Sequence, residues 1–256
     1  MPVRLSAVVT TLDNAATLDA CLASLRFCDE IVLLDSGSTD ATLDIATRHG
    51  ARIAMQPFAG YGPQKQAAID LAGGEWILLL DADESLTDDG RATILRELAA
   101  PRADGYRLPR REWLFWRWPH PATRPNWQLR LFRKAGGRMN SVPVHAAPVV
   151  EGTVIDLDAP FRHYGEPRLA DRVDKVNRYS SGLLEHKRGK PVRFIGLRLL
   201  VYPSLVFLKL YVAKRYFLNG WAGYFAERTQ SFYAFLKYAK VLEAKRSAGQ
   251  ARGPHA

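Results

Sequence analysis

A chain of 256 residues, 47% of them hydrophobic and none in low-complexity tracts, suits one large packed domain, or one domain with a smaller appendage. Its two cysteines, Cys21 and Cys28, make neither a disulfide framework nor a zinc site, and they point to reduced thiols in a cytosolic compartment. The net charge of +10 is uneven: residues 1–160 hold 17 Lys/Arg against 20 Asp/Glu, whereas residues 161–256 hold 19 against 6, so the basic part calls for an anionic partner.

The first residues, M-P-V-R-L-S-A-V-V-T, lack a basic region followed by a long apolar stretch, so no signal peptide is expected. Residues 4–10 read as a short buried strand. Leu18, Leu22 and Leu25 then fall at helical spacing. E-I-V-L-L-D (30–35) is a second strand. Residues 40–49 read as a helix capped by Asp40 and closed by Gly50. A-R-I-A-M-Q (51–56) is a third strand, residues 62–72 a helix, E-W-I-L-L-L-D (75–81) a fourth strand, and residues 87–99 a helix capped by Thr87 or Asp88. Alternating helices and continuously apolar strands indicate an α/β fold, with a mostly parallel sheet sandwiched by helices in a Rossmann-like arrangement.

Ligands of such sheets bind at the carboxyl ends of the strands. The polar groups there are Thr10, Thr11, Asp35, Asp81 and Asp83. Two carboxylates one residue apart past a buried strand offer hard oxygen ligands for Mg²⁺ or Mn²⁺; a solvated turn is the plainer alternative. Lys65 lies near a helix start, where it could meet phosphate. Neither G-x-G-x-x-G nor G-x-x-x-x-G-K-[ST] occurs, so neither a dinucleotide fingerprint nor a P-loop is supported.

Residues 101–165 are aromatic and basic, with N-W-Q-L-R-L-F-R-K alternating as a strand and V-P-V-H-A-A-P-V-V and F-R-H-Y as further short strands. They form a mixed extension suited to acceptor contacts on a catalytic domain of residues 1–165. Residues 168–189 read as helical. Residues 192–217 are apolar but interrupted by Arg198, Pro203 and Lys209, and the uninterrupted run falls short of a span. Lys and Arg among Phe, Tyr and Leu fit a basic amphipathic region, residues 166–246, lying in a bilayer interface. A tail over 247–256 is expected to be disordered. The basic residues are spread along apolar helices rather than clustered, which argues against a nucleic-acid partner.

V-V-T-T-L-D-N, I-V-L-L-D-S-G-S-T-D-A-T, G-P-Q-K-Q-A-A-I and W-I-L-L-L-D-A-D-E together resemble the family 2 glycosyltransferases, which have the GT-A fold. W-Q-L-R-L-F-R, V-P-V-H, F-R-H-Y, K-V-N-R-Y-S and F-Y-A-F-L-K-Y-A-K-V-L-E extend the resemblance to the lipopolysaccharide core β-1,4-glucosyltransferase branch, over residues 3 to about 243. The resemblance implies an inverting enzyme that moves a hexose from a nucleotide-diphosphate sugar donor to a lipid-linked saccharide acceptor, peripheral on the cytoplasmic face of the inner membrane. It implies that Thr10 and Asp35 contact the base and ribose. Lys65 would stand near the diphosphate, with Thr11 and the segment Asp81, Ala82 and Asp83 completing the donor site. A divalent metal would sit on Asp81, Asp83 and His145, and Gln128 and Arg130 would border the acceptor. The branch reads V-H-E where this chain has V-H-A, with Ala146 in place of the glutamate. An inverting transferase needs a group to take the acceptor's proton. Glu84, Glu112, Glu151 and His145 are the candidates, Glu84 first because it follows the D-x-D. A polyprenyl-phosphate acceptor, or a non-catalytic membrane scaffold, are the alternative readings.

Overall fold

A computed structural model describes residues 4–141, 146–165, 167–187 and 194–250. The described residues divide into two compact units, one of residues up to 112 with 125–165, the other of 113–124 with the residues after 165.

The first unit is built on β1 (Leu5–Thr11), β2 (Glu30–Asp35), β3 (Arg52–Met55) and β4 (Trp76–Asp81), all parallel, in the order β3-β2-β1-β4. Their residues alternate between two cores: Ala7, Val9, Leu33, Leu78 and Leu80 go to one face, Val8, Val32, Ile77 and Leu79 to the other. Burial on both faces explains the unbroken apolar runs. Helix α1 (Ala15–Ser24) packs Leu18, Cys21 and Leu22 inward, followed by α2 (Thr42–Arg48) and α3 (Tyr61–Leu71). Asp40 is not the N-cap of α2: its carboxylate accepts from the backbone N–H of Ala15 (3.1 Å) and of Thr42 (2.9 Å), tying the loop to α1.

After β4 the chain makes a short strand, β5 (Glu84–Leu86), and then α4 (Asp88–Ala99), whose N-cap is Thr87, accepting from Gly90 N–H at 3.0 Å. Strand β7 (Asn126–Arg133) pairs antiparallel with β4, and β6 (Gly105–Glu112) pairs antiparallel with β7 and so runs in the direction of β4; the sheet continues β4-β7-β6. A short hairpin of β8 (Gly137–Met139) and β9 (Pro148–Val150) follows, and β10 (Val154–Asp156) pairs parallel with β6. Finally β11 (Phe161–His163) runs parallel to β6 and antiparallel to β5, ending the order at β11-β5. A mostly parallel sheet flanked by helices is the GT-A architecture.

In the second unit, residues 113–124 are clipped to helices rather than to the sheet. Buried Asn219 donates to Thr123 Oγ1 (2.9 Å) and accepts from His120 N–H (2.7 Å); Arg172 donates to the Trp113 carbonyl (2.9 Å) and lies over the Phe115 ring. The extension expected over 101–165 therefore gives this stretch to the helical unit. Helices α5 (Leu169–Lys187), α6 (Ile195–Leu200), α7 (Tyr202–Leu208) and α8 (Gly220–Gln250) complete it, with a π-helical turn over Lys209–Ala213. Residues Ile195–Ala213 have a mean hydropathy of 1.6 and none is buried; by length and composition alone this stretch could cross a membrane. Helix α8 runs through Gln250, so the expected tail begins helical, and 251–256 lie outside the described residues.

Candidate active site

Register brings the polar groups to one edge. Thr10 stands opposite Asp81, and Thr11 opposite Asp35, at the carboxyl ends of β1, β2 and β4. Asp35 is fully buried and organises its own turn: its carboxylate accepts from the N–H groups of Gly37 and Ser38, both at 2.7 Å, and from the Ser38 hydroxyl. Gly37 adopts φ +106°, which a side chain would strain. Three of roughly four acceptor positions on the carboxylate are taken, leaving room for one further donor. Thr11 is buried and donates to Asn14 Oδ1 (2.9 Å), so it serves the start of α1 rather than the crevice. Ala82 is likewise turned into the core.

Around Asp81 the charges interlock. Lys65 Nζ, from α3, pairs with Oδ1, and Arg130 Nη2, from β7, donates to Oδ2 at 3.1 Å. The same Nη2 donates to Glu84 Oε1 at 2.6 Å, and Glu84 Oε2 accepts the Asp81 backbone N–H at 3.0 Å. Arg110 stands 3.8 Å from Glu84. Glu84 is 1% exposed and Arg130 5%. Burial works against ionising Asp81, but Lys65 and Arg130 outweigh it and hold this carboxyl well below the usual carboxylate range. Burial, followed by the charge of Asp81, pushes Glu84 up against the pull of Arg130. For Arg130, burial would lower the pKa; Glu84 and Asp81 reverse that and raise it.

This geometry bears on three expectations. Arg130 is not an open acceptor contact but a buried bridge between two carboxylates. Asp81 has an oxygen on each of two cations, so neither oxygen is open to a metal while Lys65 and Arg130 stay in place. Glu84 is sealed beneath Asp81 with its oxygens engaged, so it cannot reach an acceptor hydroxyl as a base. Glu151 fails for a different reason. Its N–H donates to the Gly136 carbonyl just past β7, whose last residue, Arg133, pairs with Trp76 at the start of β4. The length of β4, about 16 Å, separates it from Asp81, and its carboxylate pairs with Arg138 at 2.7 Å.

Asp83 has a different neighbour. His163 Nε2, at the end of β11, lies 3.2 Å from Asp83 Oδ2, while Nδ1 is 4.0 Å from Glu112 Oε1. Nδ1 is buried and makes no hydrogen bond among the described residues. Burial opposes the charged ring, but the bond and charge of Asp83 raise its pKa. A carboxylate oxygen and an imidazole nitrogen converging at the strand ends suit a divalent cation that takes its other ligands from diphosphate and water. Asp83 and His163 are the two such side chains that meet at this edge, and among the described residues no group of three gathers. His145 lies outside the described residues. Gln128, two residues before Arg130 on β7, is partly exposed and opposes Leu108.

His163 and Arg110 were given no role from sequence. The signal for His163 was the F-R-H alternation, which places Phe161 and His163 on one buried face and leaves Arg162 exposed.

A mostly parallel sheet with this acidic edge, steadied by a lysine and a buried arginine, has the architecture of the GT-A class. The sequence matches the family model for glycosyl transferase family 2 over residues 6–148, and the chain belongs to that family. It is 33% identical to the lipopolysaccharide core biosynthesis glycosyltransferase LpsC of Rhizobium meliloti, over 93% of this chain and 92% of that protein. It is 29% identical to an uncharacterized glycosyltransferase of Rickettsia felis, over 94% and 90% of the two chains. Among solved structures, S. aureus TarS 1-349 in complex with UDP-GlcNAc aligns over 96% of this chain and 92% of that one, with a TM-score of 0.49 and 14% identity.

Proposed function

We propose that this glycosyltransferase moves a hexose, with inversion, from a nucleoside diphosphate to a lipid-linked saccharide of the lipopolysaccharide core, on the cytoplasmic surface of the inner membrane. The observation that carries the donor half is the ion-pair chain at the end of β4, where Lys65 stands on Asp81 within reach of an incoming diphosphate. The acceptor half draws on the likeness to LpsC along nearly the whole chain. The membrane half draws on the exposed apolar stretch Ile195–Ala213 with its embedded Arg198 and Lys209.

In this mechanism Asp35 accepts a hydrogen bond from the base or ribose, and Thr10 lines the same edge. Lys65 turns from Asp81 to the diphosphate, while Arg130 keeps Asp81 in place and ionised. Asp83 and His163 would hold Mg²⁺ or Mn²⁺, which would neutralise charge on the departing diphosphate. Gln128, at the same edge, faces the acceptor. With Glu84 sealed, Glu151 at the far edge and His145 outside the described residues, Glu112 takes the acceptor proton: it ends β6 beside His163 and Arg110, and its side chain is 27% exposed.

Product analysis tests this reading. Purified enzyme is given a panel of nucleotide-diphosphate hexoses with lipopolysaccharide core acceptors or polyprenyl phosphate. Transfer to the core saccharide with inverted anomeric configuration is the expected product. Transfer to polyprenyl phosphate alone overturns the acceptor, and retention of configuration overturns the mechanism.

A further inference from the structure

The aromatic side chains of the second unit form one connected array. Trp116, in the 113–124 segment, stands 6.1 Å from Phe225, which stands 6.0 Å from Trp221 on α8. Trp221 is 5.8 Å from Tyr224, and Tyr224 is 6.0 Å from Tyr211 and 5.8 Å from Phe207. The last two belong to Ile195–Ala213, none of whose residues is buried. The array therefore joins the unburied apolar helix to two indoles that face solvent: Trp116 is 57% exposed and Trp221 70%.

Rings this large gain most from burial, and a solvated pair continuous with an apolar helix calls for a cover. Charge says what the cover is. Residues 195–228 hold five Lys/Arg against one acid, Glu227, which is itself buried. Arg228 lies over the rings of Phe207 (5.2 Å) and Tyr224 (5.8 Å), so cation and apolar surface are interleaved. A second copy would bring like charges together, whereas an anionic leaflet offers both a headgroup layer for the cations and an interface where tryptophan is favoured.

We propose that Trp116 and Trp221 are anchors that insert into an anionic bilayer surface. They widen the contact of Ile195–Ala213 to include a segment that precedes it in the chain by some eighty residues. The proposal rests on the interfacial reading of that helix, and the experiment separates the two.

Full-length protein is incubated with vesicles of phosphatidylcholine, with and without phosphatidylglycerol, carrying brominated acyl chains. The wild type binds the anionic vesicles and its tryptophan fluorescence is quenched. Trp116→Ser with Trp221→Ser partitions on the order of tenfold less, because partitioning scales with the apolar area buried. Trp116→Phe with Trp221→Phe keeps apolar rings and the fold; it still binds but loses most of the bromine quenching. Quenching undiminished in the Phe pair, or unchanged partitioning of the Ser pair, overturns the anchors and leaves the helix reading standing. A wild type that ignores anionic vesicles and sediments as a dimer overturns both and assigns the surface to a second copy.

Discussion

Arg130 and Glu84 meet with Nη2 2.6 Å from Oε1, and the same nitrogen reaches Asp81 at 3.1 Å, so a buried glutamate holds the arginine that holds the first aspartate of the D-x-D. Removing Arg130 strips buried Glu84 of its hydrogen-bonded cation and leaves Asp81 with Lys65 alone. Arg130→Ala is expected to cost about 3–5 kcal/mol, a fall in Tm of roughly 10 °C for a domain of this size. Arg130→Met combined with Glu84→Leu recovers much of that stability in a thermal melt without recovering transfer. A double variant as unstable as Arg130→Ala contradicts the ion-pair account.

Lys65 is expected to act on the donor rather than on the fold. Lys65→Ala lowers kcat for donor turnover by about 10²-fold, the scale for removing one donor from a developing anion, with a small change in urea midpoint. A large stability loss with unchanged turnover per folded molecule assigns Lys65 to holding Asp81 alone.

The acid limb of stability follows from Asp81. Its folded pKa lies below the unfolded one, because Lys65 and Arg130 together outweigh burial. Such a group contributes stability that is complete above its unfolded value of about 3.9 and is lost as the pH falls toward the folded value. The gap in stability between wild type and Asp81→Asn, read from urea midpoints, therefore narrows from about pH 5 toward about pH 2. A gap that widens on acidification reverses the sign and rejects the pairing.

The two remaining carboxylates give opposite forecasts. Glu112→Gln lowers transfer by about 10²–10⁴-fold, the range for removing a general base, while donor affinity holds. Glu151→Ala, changed at the far edge of the sheet, leaves kcat/KM within about twofold, as surface substitutions do. Equal losses in both would remove the base from β6.

How much of this was legible in sequence depends on what sets each feature. Strands β1, β2 and β4 and the placement of Asp35, Asp81 and Asp83 follow from unbroken apolar runs that end in acids, a local pattern. Arg130 was visible only as one polar residue in Q-L-R-L-F. Which face of β7 is buried is settled by β4, pairing across a separation of some fifty residues, and by Glu84 beneath it. Glu84 followed the D-x-D and so looked available; three residues of strand pairing with β11 put it inside. Glu151 stood among the candidates too, but its place just past β9 puts it toward the amino ends of the strands. Residues 113–124 read as part of the extension because their partners, Arg172 and Asn219, come much later in the chain.

The most direct test of the central claim is donor turnover by Asp83→Ala against wild type, with and without Mn²⁺. Wild type is expected to release nucleoside diphosphate from its sugar donor when Mn²⁺ is supplied, and Asp83→Ala to lose that activity at any Mn²⁺ concentration while keeping the wild-type melting profile. Wild-type turnover by Asp83→Ala would contradict the assignment of the D-x-D edge as the donor site.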